Sequence, residues 1–140
     1  MKAFPAWTRR PPASLERDDA LSAENADCIF CKIVRGEIPS RRVHEDDHLI
    51  AFHDIHPAAP VHLLVIPKKH IATLYDCNDD DRDLLGRVLA ISGRLASAQG
   101  LAEGFRTIIN TGRVGGQEVY HLHAHILGGP DRLGRMLSGD

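Results

Sequence analysis

A chain of 140 residues, 43% hydrophobic and 26% charged, has room for one domain with an ordinary core and not for two. Its formal net charge of -2 excludes a surface built to wrap nucleic acid or to adhere to a membrane, since both need a cationic excess. No run reaches the roughly eighteen apolar residues of a membrane span, and the N-terminus lacks the apolar centre of a secretory signal, so a cytoplasmic location is expected.

Residues 1 to 26 carry Pro5, Arg9, Arg10, Pro11 and Pro12 and then an acidic stretch, with little aliphatic pattern to bury. They read as a flexible N-terminal arm before a folded domain over 27–140. Glu16, Asp18 and Asp19 speak against a transit peptide, which is poor in acids. From Cys28 the pattern tightens, with Phe30, Ile33 and Val34 at helical spacing, Gly36 as a stop and Pro39 barring continuation, which predicts a short helix. Residues 41 to 45 and 48 to 54 read as two strands of an antiparallel hairpin around Asp46-Asp47. After a loop with Pro57 and Pro60, His62 to Ile66 is a largely buried third strand halted by Pro67, and a helical turn is expected after His70.

Asp79 to Asp81 suit the positive end of a helix, and Leu84, Leu85, Val88, Leu89, Ile91 and Leu95 continue as an apolar stripe to Gly100. This predicts the main helix, even though Gly86 and Gly93 inside it each cost about 1 kcal/mol of propensity relative to alanine. Residues 105 to 110 are a fourth strand, Thr111 to Gly116 a glycine loop, and Val119 to Leu127 a fifth strand. The expectation is an α+β fold: a mainly antiparallel five-stranded sheet with one long and one short helix.

Chemistry concentrates in His121-Leu122-His123-Ala124-His125-Ile126-Leu127-Gly128-Gly129. Strand alternation puts the three histidines on one face, about 6.7 Å apart, and Leu122, Ala124 and Ile126 on the other. A neutral imidazole attacks phosphorus well, and a covalent phosphohistidine replaces direct attack by weakly nucleophilic water with two easier steps. The middle histidine, His123, is the natural nucleophile. Three histidines in strict alternation, between a glycine loop and Gly-Gly, are poorly explained as a solvent face. His44, His48, His53 and His56 lack such spacing and read as solvated residues.

Three cysteines, an odd count, argue against a disulfide framework. Cys28-x-x-Cys31 has three readings: a redox pair, which would need a preceding strand; two buried cysteines of no special role; or half of a tetrahedral zinc site completed by histidines. Asp54 is likewise open, as a carboxylate for substrate or as a turn cap before Pro57. Phe30, Ile33, Phe52 and Leu64, each taken singly, read as core.

The triad segment resembles the signature of the histidine-triad (HIT) superfamily. Gly115-Gly116-Gln117-Glu118-Val119-Tyr120 before it and Gly128-Gly129 after it are similar to the Hint branch, the purine nucleoside phosphoramidases. The likeness runs upstream through Val65-Ile66-Pro67-Lys68-Lys69-His70, Pro60, Ala51-Phe52-His53-Asp54-Ile55 and Glu45-Asp46-Asp47, and covers roughly residues 27 to 135.

The resemblance implies a homodimer of HIT-like fold that acts on a purine nucleotide. It makes His123 the nucleophile that becomes nucleotidylated, His125 the hydrogen-bond partner of the α-phosphate, and His62 a participant in proton transfer. It assigns Asp54 to the ribose hydroxyls, and Phe30, Ile33, Phe52, His53, Ile55 and Leu64 to the purine pocket. Asn110, Gly116 and Gln117 fall on the phosphate side. Zinc-bearing members complete the metal site with the counterparts of His70 and His121, so Cys28, Cys31, His70 and His121 are the expected ligands of a structural zinc. Glu118 departs from the serine of animal members, and because a carboxylate repels phosphate it is expected to point away or to leave the contact to the backbone.

The expected activity is hydrolysis of adenosine 5′-phosphoramidates. The alternatives are dinucleoside polyphosphate cleavage, against which Gly128-Gly129 argues, and a nucleotide-binding adaptor with incidental catalysis. A uridylyltransferase is disfavoured because that branch replaces the third histidine.

Overall fold

The computed structural model describes residues 26–137, so the arm expected over 1–26 lies, but for Ala26, outside the described residues. Helix α1 spans Ile29–Val34, with Cys28 in extended conformation at its N-cap and the Cys28 sulfur accepting from the Cys31 amide. Gly36, at φ +79, takes the left-handed conformation that ends such a helix most cheaply. Strands β1 (Arg42–Glu45) and β2 (Leu49–His53) form the expected hairpin, and the Asp46 carboxylate closes its turn by accepting from the amides of His48 and Leu49.

Strand β3 (Val61–Pro67) follows, then two short 3-10 turns at Leu74–Asp76 and Asp79–Asp81, each closed by a capping box. Helices α2 (Arg82–Ala90) and α3 (Ser92–Ala98), strand β4 (Arg106–Ile108), the single turn α4 (Gly112–Gly115) and strand β5 (Ala124–Gly128) complete the chain. The sheet order is β1-β2-β3-β5-β4, with every pairing antiparallel.

Both faces of the sheet are covered, which explains why β2 and β3 are apolar at nearly every position. Leu49, Ala51, Leu63, Val65, Ala124 and Ile126 pack against Val88 of α2, Leu95 and Ala96 of α3, and Ile91 at the junction between the two helices. On the opposite face Ile50, Phe52, Leu64 and Ile66 pack against Phe30, Cys31 and Ile33 of α1. His125 stands opposite Leu64, and Leu64 opposite Phe52, so β5 delivers His125 to the α1 side.

Four expectations need correction. The long helix is interrupted at Ile91, where the Ser92 hydroxyl donates back to the Leu89 carbonyl at 2.6 Å, a bond that bends helices. Leu89, counted in the apolar stripe, is exposed. The glycine loop contains a helical turn, Gly112–Gly115, ended by Gly116 at φ +83.

The most consequential difference is that β5 begins at Ala124 rather than Val119, so His121 and His123 precede the ladder. Pro67, the last residue of β3, has no N–H to offer, and its carbonyl accepts from the His121 ring at 2.8 Å. The chain before Ala124 is anchored elsewhere, by the Leu122 amide on the Ile71 carbonyl and the Gln117 side-chain amide on the Val119 carbonyl.

Candidate active site and metal cluster

His121, His123 and His125 do lie on one side of the chain, with Leu122, Ala124 and Ile126 buried on the other, but they serve two different clusters. Phe30 of α1 separates them, meeting the rings of both His121 and His123 edge-on at centroid distances of 5.9 and 5.0 Å.

The hydrogen bonds of His123 and His125 fix which nitrogen of each ring carries its proton. His123 Nδ1 lies 2.7 Å from the His121 carbonyl oxygen. A carbonyl only accepts, so Nδ1 is the donor and Nε2 of the neutral ring keeps a free lone pair. The Ala58 amide donates to His62 Nδ1 at 3.0 Å, which leaves the His62 proton on Nε2; that nitrogen donates to His125 Nδ1 at 2.9 Å. His125 therefore carries its own proton on Nε2. The pair sets a nucleophilic nitrogen on one ring beside an N–H donor on the next, with the ring centroids of His123 and His125 4.9 Å apart.

Burial keeps these rings neutral. Desolvation lowers the pKa of His123 from 6.5 to about 4, against a smaller opposing effect of its bond to the His121 carbonyl. Desolvation likewise lowers His125, with the nearby His62 adding to the effect, and lowers His62 despite the Asp54 carboxylate, whose Oδ2 is 3.5 Å from His62 Nε2.

These groups open onto a cavity of about 420 Å³, within the range of small-molecule sites. Phe30, Ile33, Phe52, His53, Asp54, Ile55, His62, Leu64, Asn110, Gly116, His123 and His125 line it, which brings together every candidate substrate residue but one. Gln117 is the exception. It is buried, its carbonyl oxygen accepts from the Gly112 amide, and its nitrogen donates to the carbonyls of Ala72 and Val119, so it braces the glycine turn from behind.

Ile55 is a rim residue, 84% exposed. Asp54 is a turn cap, its Oδ1 accepting from the His56 amide, and it also lines the cavity, with Oδ2 3.5 Å from His62 Nε2. Glu118, expected to point away or to leave the phosphate contact to the backbone, is exposed and is among the residues that line the cavity. Ile29, Ile38, Pro39, Ser40, His56 and Val119 also line it, and no spacing signal in the sequence marks them.

The second cluster is buried and consists of Cys28, Cys31, His70 and His121, whose ligand atoms lie within 4.8 Å of one another. Cys28 Sγ is 3.4 Å from His121 Nδ1, and Cys31 Sγ is 3.2 Å from His70 Nδ1 and 3.5 Å from His121 Nδ1. The two Nδ1 atoms are 3.2 Å apart. Tetrahedral zinc with ordinary bond lengths requires S···N edges of about 3.6 Å and N···N edges of about 3.3 Å. The donors fit such an ion.

The proton on His121 Nε2 is committed to the Pro67 carbonyl, so Nδ1 presents a lone pair to the cluster, as a ligating histidine does. His70 Nε2 has no partner among the described residues. The hydrogen bond with Cys31, and lesser ones with His121 and His70, hold the Cys28 thiol far below the usual thiol range, which favours the thiolate that a metal takes. None of Cys28, Cys31 and Cys77 is in a disulfide, and the described strands pair only antiparallel, so the described residues form no βαβ unit of the kind that carries a thioredoxin-like pair.

Comparison with known proteins agrees with this arrangement. The description "HIT domain" matches residues 35–132. The purine nucleoside phosphoramidase of Escherichia coli K12 is 50% identical over 111 residues, covering 79% of this chain and 92% of that protein. Among solved structures, a HIT family hydrolase from Legionella pneumophila superposes with a TM-score of 0.72 at 56% identity, covering 74% of this chain and 94% of the other. A histidine triad protein from Clostridium difficile does so with 0.76 at 48% identity, covering 80% and 98%.

Proposed function

The chain belongs to the HIT domain family, and on that footing we propose that it hydrolyses purine nucleoside 5′-phosphoramidates through a nucleotide held covalently on His123. The observation that carries this reading is the pair of tautomers at the cavity: a free lone pair on His123 Nε2 and an N–H on His125 Nε2, both imposed by hydrogen bonds within the protein. The name of the Escherichia coli relative supports the substrate class.

In the first step the His123 Nε2 lone pair attacks phosphorus as the bond from phosphorus to the leaving nitrogen breaks. That nitrogen keeps the bonding pair and takes up a proton that water brings into the open cavity, while His62 holds the neutral His125 ring with its Nε2 N–H toward the departing group. In the second step water attacks phosphorus, the bond to His123 breaks with its pair returning to Nε2, and the proton that water sheds leaves to solvent, so both rings end neutral. Catalysis then consists of positioning and charge stabilisation, with His125 donating to a non-bridging oxygen. The Asp54 carboxylate accepts from the ribose hydroxyls, and the purine lies between Phe30, Ile33, Phe52 and Leu64, beside His53 and Ile55. Asn110 and Gly116 flank the phosphate. Gln117 supports the turn that carries Gly116 and does not itself contact substrate.

Zinc in the cluster of Cys28, Cys31, His70 and His121 would act as a structural ion, and the thiolate and imidazole donors suit it better than a harder cation. The protein is proposed to be a homodimer in the cytoplasm.

His123→Ala is expected to lower turnover of adenosine 5′-phosphoramidate by roughly 10³-fold or more while nucleotide affinity stays within a few-fold of wild type. Parallel kinetics and calorimetric binding measure this, and a variant retaining a tenth of the activity would contradict the assignment. Faster cleavage of diadenosine tetraphosphate than of the phosphoramidate would move the enzyme to the other hydrolytic class.

A further inference from the structure

The cavity is expected to receive an anionic phosphate, yet among the described residues no lysine or arginine lines it. Its charged wall residues are both carboxylates, Asp54 and Glu118. Asp54 is engaged by the His56 amide and by His62. Glu118 is exposed and has no hydrogen-bond or ion-pair partner among the described residues. The residues on either side of it, Gln117 and Val119, are buried, and the side chain of Gln117 is bonded to three backbone groups, so the backbone that carries Glu118 is firmly held.

An uncompensated carboxylate on the wall of a phosphate site, carried by a firmly held backbone, has a definite electrostatic consequence. Substrates that bring further negative charge, such as polyphosphates, are penalised; a substrate whose leaving portion carries a positive charge is favoured. The nucleotide portion is common to all substrates of the class, so the leaving group is where this charge can discriminate.

We infer that Glu118 is a specificity-determining residue that selects phosphoramidates whose leaving amine carries a second, distal ammonium group. The inference rests on the phosphoramidase reading above. The bond broken and the proton taken up are those of that reaction; Glu118 adds attraction for the far end of the leaving group and no chemical step. The attraction between unit charges a few ångströms apart in a wet site corresponds to a preference of about fivefold or more in kcat/KM. It should weaken as salt rises, because the Glu118 carboxylate is exposed.

The test uses the full chain and adenosine 5′-phosphoramidates of three straight-chain primary amines of equal length, ending in an ammonium, a methyl or a carboxylate group, with the unsubstituted phosphoramidate alongside. Wild type should rank them ammonium, methyl, carboxylate, with the spread narrowing at high salt. Glu118→Gln should bring the ammonium-to-methyl ratio close to one, and Glu118→Lys should reverse it. Because each ratio is taken within one variant, a general loss of activity does not mimic the effect. Equal rates on the three adducts, or a ratio that survives in Glu118→Gln, would overturn the inference while the phosphoramidase reading stands. No turnover of any phosphoramidate would overturn both.

Discussion

His125 is neutral and donates into the cavity because His62 holds its Nδ1 at 2.9 Å, and His62 is itself held by a backbone amide, that of Ala58. Replacing His62 with Ala should free the His125 ring to turn over and present the wrong nitrogen. We expect kcat to fall about 10²-fold with nucleotide affinity little changed, measured by steady-state kinetics and calorimetry; a fall in affinity with kcat intact would contradict the chain of tautomers. Burial lowers the pKa of both rings below 6.5, so the acid limb of the pH profile of kcat/KM should lie below that value, and a limb at or above it would count against a buried neutral pair.

The sequence reveals the histidine alternation because side-chain direction in extended chain is a local property. The Ala58 amide leaves no such trace, since any residue except proline supplies one. Gln117 and Glu118 show the limit from the other side: a match to a pattern names their positions, but which of the two lines the cavity depends on what closes behind the turn.

Gly128 and Gly129 belong to the packing of elements rather than to phosphate. A methyl group on Gly129 would sit 2.8 Å from Pro60 Cγ, and one on Gly128 2.7 Å from a Leu101 methyl, closer than side chains tolerate. Pro60 is a rigid ring in the loop that also carries Ala58, so Gly129→Ala should destabilise the fold by about 1 to 3 kcal/mol in denaturant melts. It should lower activity as well, and an unchanged midpoint would contradict this packing.

The start of β5 was set by contacts far away in sequence. Pro67 cannot extend the ladder and gives its carbonyl to His121, which is why the strand pattern from Val119 overreaches. The interruption at Ile91 similarly depends on one hydroxyl choosing a backbone carbonyl, whereas the apolar stripe through Val88 and Leu95 was plain.

The cluster of Cys28, Cys31, His70 and His121, proposed above to hold zinc, joins α1 to the segment whose carbonyl orients His123. Chelation should therefore lower Tm by about 5 °C or more and reduce kcat more than nucleotide affinity. Metal analysis with thermal melts of the same sample checks it, and a melt indifferent to a chelator that removes bound zinc would contradict the clamp.

At the scale of the whole molecule, a sheet covered on both faces holds several imidazoles away from water. His62 and His125 have folded pKa values below 6.5, so the unfolded chain binds more protons as pH falls below that value. Their contribution to stability is complete above pH 6.5 and is lost as pH falls through the lowered values. Melts across this window should show declining stability on the acid side, and a Tm independent of pH there would contradict it. The described residues contain no helix long and apolar enough to cross a membrane.

The architecture was legible because its signals are strong: two buried strands, a hairpin turn at Asp46 and a long apolar stripe each declare themselves locally. What joins them into a site was not, because Phe30, Asp54 and His125 meet only after three elements have packed. Catalysis in this site turns on His123 Nε2 reaching phosphorus. Rapid-quench mixing with a phosphoramidate, followed by digestion and mass spectrometry, should place a transient nucleotide on the peptide carrying His123, forming and decaying at rates that match turnover. A nucleotide found on another residue, or turnover with no adduct at any mixing time, would contradict it.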